Sequence, residues 1–206
     1  MKIKICGIRR PEDVEFANEV RPDYVGFIMS PGYRRSITCM EAANLRAILS
    51  RDIPAVGVFV DENPETIAEY LDHGFIDMAQ LHGNESDDDI KRIKDLTGRE
   101  VIKMIKPDSF GSIDAAFASE ADYLLFDNGA GTGKAFNHKP LRDYLKFKLF
   151  RLEKRFFIAG GITPENIKKV HSDLHPYGVD LSSSLETDGF KDLDKMREAA
   201  LAVRRL

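Results

Sequence analysis

Short apolar runs rich in β-branched and aromatic residues recur eight times along the chain, and this repetition limits the possible folds more than any other feature. They cover residues 3–8, 24–29, 55–60, 78–82, 101–106, 123–127, 156–159 and 179–182, each about the length of one strand. Most are separated by segments with apolar residues at helical spacing, such as Val14, Phe16, Ala17 and Val20, or Ile90, Ile93 and Leu96. Strands that alternate with helices pair in parallel, because a parallel crossover needs about a dozen residues or more. Eight units in 206 residues leave about 26 each, near the compact limit of an eightfold barrel. The expected fold class is therefore α/β, a single-domain (βα)8 TIM barrel over residues 1–206. An open doubly wound sheet would place a Gly-rich dinucleotide fingerprint after its first strand, where this chain has Cys6-Gly7-Ile8-Arg9.

The punctuation between runs agrees. Arg10-Pro11-Glu12-Asp13, Asn63-Pro64-Glu65-Thr66 and Thr163-Pro164-Glu165-Asn166 each follow a predicted strand and open a helix. Proline at the first helical position sacrifices no hydrogen bond, and an acid beside it suits the positive end of the helix. Ser86-Asp87-Asp88-Asp89 reads as a capped helix start rather than a metal site. No linker or shift in composition divides the chain.

Composition narrows the function. A hydrophobic fraction of 43% suffices for a core, and a net charge of -4 offers no electrostatic case for nucleic acid or an anionic membrane. No apolar run approaches the roughly 18 residues that span a bilayer, and the start lacks the apolar stretch of a signal peptide. Two cysteines, Cys6 and Cys39, are too few for a disulfide framework or a thiolate metal site. The expectation is a reduced cytoplasmic protein with no nucleic-acid or membrane partner, acting as a monomer or a homodimer.

Polar residues inside buried parallel strands need a reason. Lys4 and Cys6 share one face of the first strand, Gln80 and His82 one face of the fourth, and Asp180 and Ser182 one face of the eighth. Asp127 ends the sixth. Most lie toward the carboxyl ends of their strands, the rim on which a (βα)8 barrel builds its active site. Cys6 is either a small buried hydrophobe or, with the Lys4 ammonium lowering its pKa, a thiolate base or nucleophile. Asp127 is either a turn residue or a general acid whose pKa is raised by apolar surroundings. His82 is either structural or a substrate contact. Cys39, at a helix start, reads as structural.

The stretch Gly129-Ala130-Gly131-Thr132-Gly133-Lys134 fails as a nucleotide-binding loop, having Asn128 and Ala135 where that motif needs Gly and Ser or Thr. It reads as a loop covering the rim. Gly160-Gly161 after the seventh strand, with Asp180-Leu181-Ser182-Ser183-Ser184 at the eighth, suggests a phosphate site, although tight turns alone would also use such glycines. Arg34-Arg35 is a solvated pair or a clamp for a carboxylate.

Taken together, these segments are familiar. Lys4-Ile5-Cys6-Gly7-Ile8, Arg34-Arg35-Ser36-Ile37, Gln80-Leu81-His82-Gly83, Gly131-Thr132-Gly133-Lys134, Ala159-Gly160-Gly161-Ile162-Thr163-Pro164-Glu165-Asn166 and Val179-Asp180-Leu181-Ser182-Ser183 follow one another in the order found in phosphoribosylanthranilate isomerases, which the chain resembles over nearly its whole length. The resemblance implies an Amadori rearrangement of N-(5-phosphoribosyl)anthranilate in tryptophan biosynthesis, on a small-molecule phosphosugar and with no metal or redox cofactor. It further implies Cys6 as general base, Asp127 as general acid and Arg35 as the residue holding the anthranilate carboxylate. Gly160, Gly161, Asp180, Ser182 and Ser183 match the phosphate region. The chain departs from the family pattern at Ser184, where Gly is usual, and in a shorter loop after Asp127. The alternatives are another phosphosugar isomerase or epimerase of the same barrel group, and a non-catalytic barrel.

Overall fold

Each apolar run becomes one stave of a closed barrel. The computed structural model describes residues 1–127, 139–147 and 154–206. Its parallel strands are β1 (Lys2–Cys6), β2 (Tyr24–Ile28), β3 (Ala55–Phe59), β4 (Met78–Leu81), β5 (Val101–Ile105), β6 (Tyr123–Phe126), β7 (Arg155–Ile158) and β8 (Gly178–Leu181). They pair in chain order, and β8 returns to β1 with Lys4 in register with Asp180. The helices are α1 (Pro11–Val20), α2 (Cys39–Ile48), α3 (Pro64–Asp72), α4 (Asp87–Thr97), α5 (Phe110–Ala118), α6 (Lys139–Phe147), α7 (Ile167–Leu174) and α8 (Leu193–Arg204).

Alternation along the strands splits the apolar residues into two bodies. Ile3, Ile5, Val25, Phe27, Ala79, Leu81, Phe126 and Ile158 point outward and pack under the helices. Val56, Met78, Ile102, Met104, Leu125 and Phe157 point inward and fill the barrel. Gly178 makes room there, since a Cβ on it would lie 2.6 Å from the Phe157 ring. Above this plug the inward positions turn polar, and those positions form the rim.

The helix starts follow the sequence reading with one correction. Asn63 and Ser86 cap α3 and α4, and in α4 Asp89 accepts back from the Ser86 amide. Pro164, however, does not open α7. Residues 164–166 form a turn in which Asn166 Oδ1 accepts from the Thr163 amide and Asn166 Nδ2 donates to the Gly161 carbonyl, so the helix begins only at Ile167. The first strand also ends at Cys6 rather than residue 8, because Gly7 takes a φ of 81° and turns the chain out of the sheet. After β8 a 3-10 turn (Ser183–Leu185) leads into a hairpin of β9 (Glu186–Thr187) and β10 (Phe190–Lys191), which the sequence reading had not anticipated.

Candidate active site

Cys6 and Lys4 enter the rim on β1, facing inward beside Gly26. A Cβ at Gly26 would sit 2.7 Å from the Cys6 sulfur and 3.1 Å from Lys4 Nζ, so this glycine is what admits both side chains. Lys4 is fully buried, and its ammonium donates to Asp180 Oδ2 at 2.9 Å. Burial disfavours that ammonium, but its polar neighbours together, Asp180 foremost, outweigh burial and the Lys4 pKa is raised. The thiol does not behave as the sequence reading expected. Burial, aided by the Asp180 charge, pushes the Cys6 pKa up by more than Lys4 and Lys191 pull it down, so the resting thiol is protonated. Ser182 Oγ donates to the Cys6 carbonyl at 3.0 Å, tying the end of β8 to the end of β1.

Gln80, His82 and Asp127 form another part of the wall. The Gln80 amide lies 3.0 Å from His82 Nδ1. With the amide nitrogen donating, the imidazole proton sits on Nε2, which faces Asp127 Oδ2 at 3.8 Å. Burial and the Lys4, Lys103 and Lys106 charges hold the His82 pKa at about 4, so this histidine is neutral at physiological pH. The Asp127 amide donates to the Ile105 carbonyl, which fixes the backbone just past β6. Behind His82, Glu85 accepts from the Asp61 and Gly83 amides and from Lys103 Nζ, pinning the loop after β4.

The loops after β7 and β8 offer an anion cradle. Gly160 and Gly161 adopt φ of 79° and 69°, a conformation unfavourable to other residues, and their amides donate to no described residue. Ser183 opens the 3-10 turn, where the first amides have no partner within the turn. Ser184 Oγ, Gln80 Oε1 and Asp180 Oδ1 are buried without a hydrogen-bond partner among the described residues. The Gly129–Lys134 loop lies outside the described residues.

Arg35 is not solvated. Its Nε and Nη2 donate to the two carboxylate oxygens of Glu186, the carboxylate that Arg34 and Lys191 also reach. These contacts and burial leave the Glu186 pKa at about 2; burial acts upward, and the cations override it. Glu186 and Lys191 were missed in the sequence, where the visible signal was an acid and a lysine in the polar stretch following the last strand. A separate cavity of about 380 Å³ opens at the amino-terminal end of the barrel, between Lys2, Asp23, Tyr24 and Tyr177. In this fold that end serves stability rather than catalysis.

Comparison with known proteins adds to this geometry. The family model for N-(5'-phosphoribosyl)anthranilate (PRA) isomerase matches residues 3–200. An N-(5'-phosphoribosyl)anthranilate isomerase of Lachnoclostridium phytofermentans is 39% identical, with 100% of this chain and 98% of the relative covered. The crystal structure of phosphoribosyl anthranilate isomerase from Thermus thermophilus superposes with a TM-score of 0.87 at 30% identity, covering 100% and 99% of the two chains. Another such isomerase, solved in complex with reduced 1-(o-carboxyphenylamino)-1-deoxyribulose 5-phosphate, gives a TM-score of 0.82 at 29% identity over 100% of both chains.

Proposed function

The chain belongs to the N-(5'-phosphoribosyl)anthranilate isomerase family, and from that premise we propose that Cys6 and Asp127 divide the proton transfers of its reaction. The protein is an isomerase of tryptophan biosynthesis that converts N-(5'-phosphoribosyl)anthranilate to 1-(2-carboxyphenylamino)-1-deoxyribulose 5-phosphate. Asp127 protonates the ring oxygen, and the nitrogen lone pair opens the furanose to a Schiff base. Cys6, in its ionised thiolate form, then takes the proton from the sugar C2, giving an enolamine that tautomerises to the ketone. C1 is reduced as C2 is oxidised, so no electrons leave the substrate.

The observation that carries this reading is the Cys6 thiol seated against the Lys4 ammonium on the inner face of the rim. A thiol raised by burial is a strong base once ionised, and the fixed Lys4 cation stabilises the thiolate as it forms. The amides of Gly160, Gly161 and Ser183 take the phosphate, with Ser182 holding the two strand ends together. Arg35 takes the anthranilate carboxylate. His82 offers its Nε2–H beside Asp127, and Asp180 Oδ1 is left to accept from a sugar hydroxyl. All these groups come from one chain, so a monomer and a homodimer accommodate the site equally. The reading takes residues 1–206 as one folding unit, supported by the packing of α8 on α1. It places the protein in the cytoplasm, where Cys6 stays a free thiol.

Fluorescence turnover with freshly made phosphoribosylanthranilate tests the assignment. Cys6→Ala and Asp127→Asn should each lower kcat by roughly 100- to 10,000-fold, the usual range for losing an acid or base. Turnover of either variant within a few-fold of wild type removes that residue from its role.

A further inference from the structure

Glu186 ties the loop after β2 to its own hairpin through one carboxylate. Its side chain is 6% exposed and is paired with Arg34, Arg35 and Lys191. Lys191 also donates to the Ser182 carbonyl at 3.0 Å, which anchors Glu186 to the end of β8. Arg9, in the loop after β1, donates to the carbonyls of Arg34 and Gly189, so the loops after β1 and β2 are fastened to the hairpin.

The geometry at Arg35 gives this cluster a purpose. A guanidinium carries five N–H donors in one plane, arranged as two edges that can each take a carboxylate. Glu186 fills the edge formed by Nε and Nη2. Nη1 donates to no described residue, so the Nη1/Nη2 edge remains for a second carboxylate. The stem of Arg35 is held too, for it lies over Gly7, where a Cβ would come within 2.4 Å of Arg35 Cδ. Three cations against one anion also leave the cluster positive, which suits a further negative group.

We propose that Glu186 is a positioning residue for the reaction: it grips Arg35 by one edge so that the other edge meets the anthranilate carboxylate. Lys191 holds Glu186 in place for this task. The proposal rests on the reading of Arg35 as the carboxylate-binding residue. Glu186 acts by ordering Arg35 in advance, so that less side-chain freedom is lost when substrate binds.

Two probes test it by equilibrium binding: the reduced product analogue bearing the carboxyphenylamino group, and its counterpart lacking the carboxyl. The ratio of their affinities reports what the carboxylate contributes. Glu186→Gln should shrink that ratio about tenfold while leaving the carboxyl-free probe within about twofold, and Glu186→Asp should restore part of it. In turnover, Glu186→Gln should raise KM with kcat little changed. Equal weakening of both probes would make Glu186 merely structural, and a larger ratio would make it a competitor of substrate for Arg35; either overturns the proposal. Arg35→Lys is the separate control, since a ratio unchanged by that exchange sinks the Arg35 reading itself.

Discussion

His82 illustrates how a single side chain can set the acid limit of a fold. Its pKa falls from 6.5 to about 4 on folding, so between these values the unfolded chain binds more protons than the native one. The stability contributed by neutral His82 is therefore complete above pH 6.5 and is lost as pH falls toward 4. Lowering the pH from 7 to 4.5 should cost about 2 kcal/mol through this residue alone, each pKa unit being worth about 1.4 kcal/mol. Urea unfolding at the two pH values should show that loss in wild type and a smaller one in His82→Asn, which has no imidazole to charge. Equal losses would mean that other groups govern the acid limb. Glu186 adds to it at lower pH: with its pKa depressed to about 2, its contribution stands above pH 4.5 and is lost as pH falls through 2.

At the scale of strands and loops, space decides as much as charge. Gly26 on β2 is needed because Cys6 and Lys4 fill the volume a side chain would take. Gly26→Ala should destabilise by about 1–3 kcal/mol through overpacking and should lower kcat beyond what unfolding explains, because the thiol must shift. Gly111→Ala is the matched control, in a helix and with nothing nearer than 3.8 Å to the new Cβ, and should be neutral or slightly stabilising. Thermal unfolding and turnover of the two variants separate these outcomes. The strands were legible in the sequence because burial on both faces leaves runs of apolar residues. The rim was legible because polar residues interrupt those runs on a single parity, as Lys4 with Cys6 and Gln80 with His82 do. The β9–β10 hairpin was not, since two-residue strands carry no period. The grip of Glu186 on Arg35 was hidden for another reason: the two are 151 residues apart, and only barrel closure brings them together. Nor could sequence reveal that burial overrides Lys4 at the Cys6 thiol, because the amount of water excluded belongs to the fold.

For the whole molecule, the seam between β1 and β8 is where the barrel closes and where a deeply buried ion pair lies. Side-chain exposure is 0% for Lys4 and 7% for Asp180. Asp180→Asn leaves the Lys4 charge buried with a weaker partner, and breaking such a pair costs roughly 3–5 kcal/mol. Arg21–Asp52, with exposures of 51% and 63%, should lose nothing measurable on Asp52→Asn. Denaturant midpoints of the two variants make the comparison, and equal shifts would deny the seam its special weight. Closure also has a consequence in time. Lys4 leaves the ribosome 176 residues ahead of Asp180. Throughout that interval Lys4 and Cys6 have no β8 to lie against. The protein therefore acquires its chemistry only once β8 has emerged, and a chain halted before β8 should be an inert precursor rather than a slower enzyme.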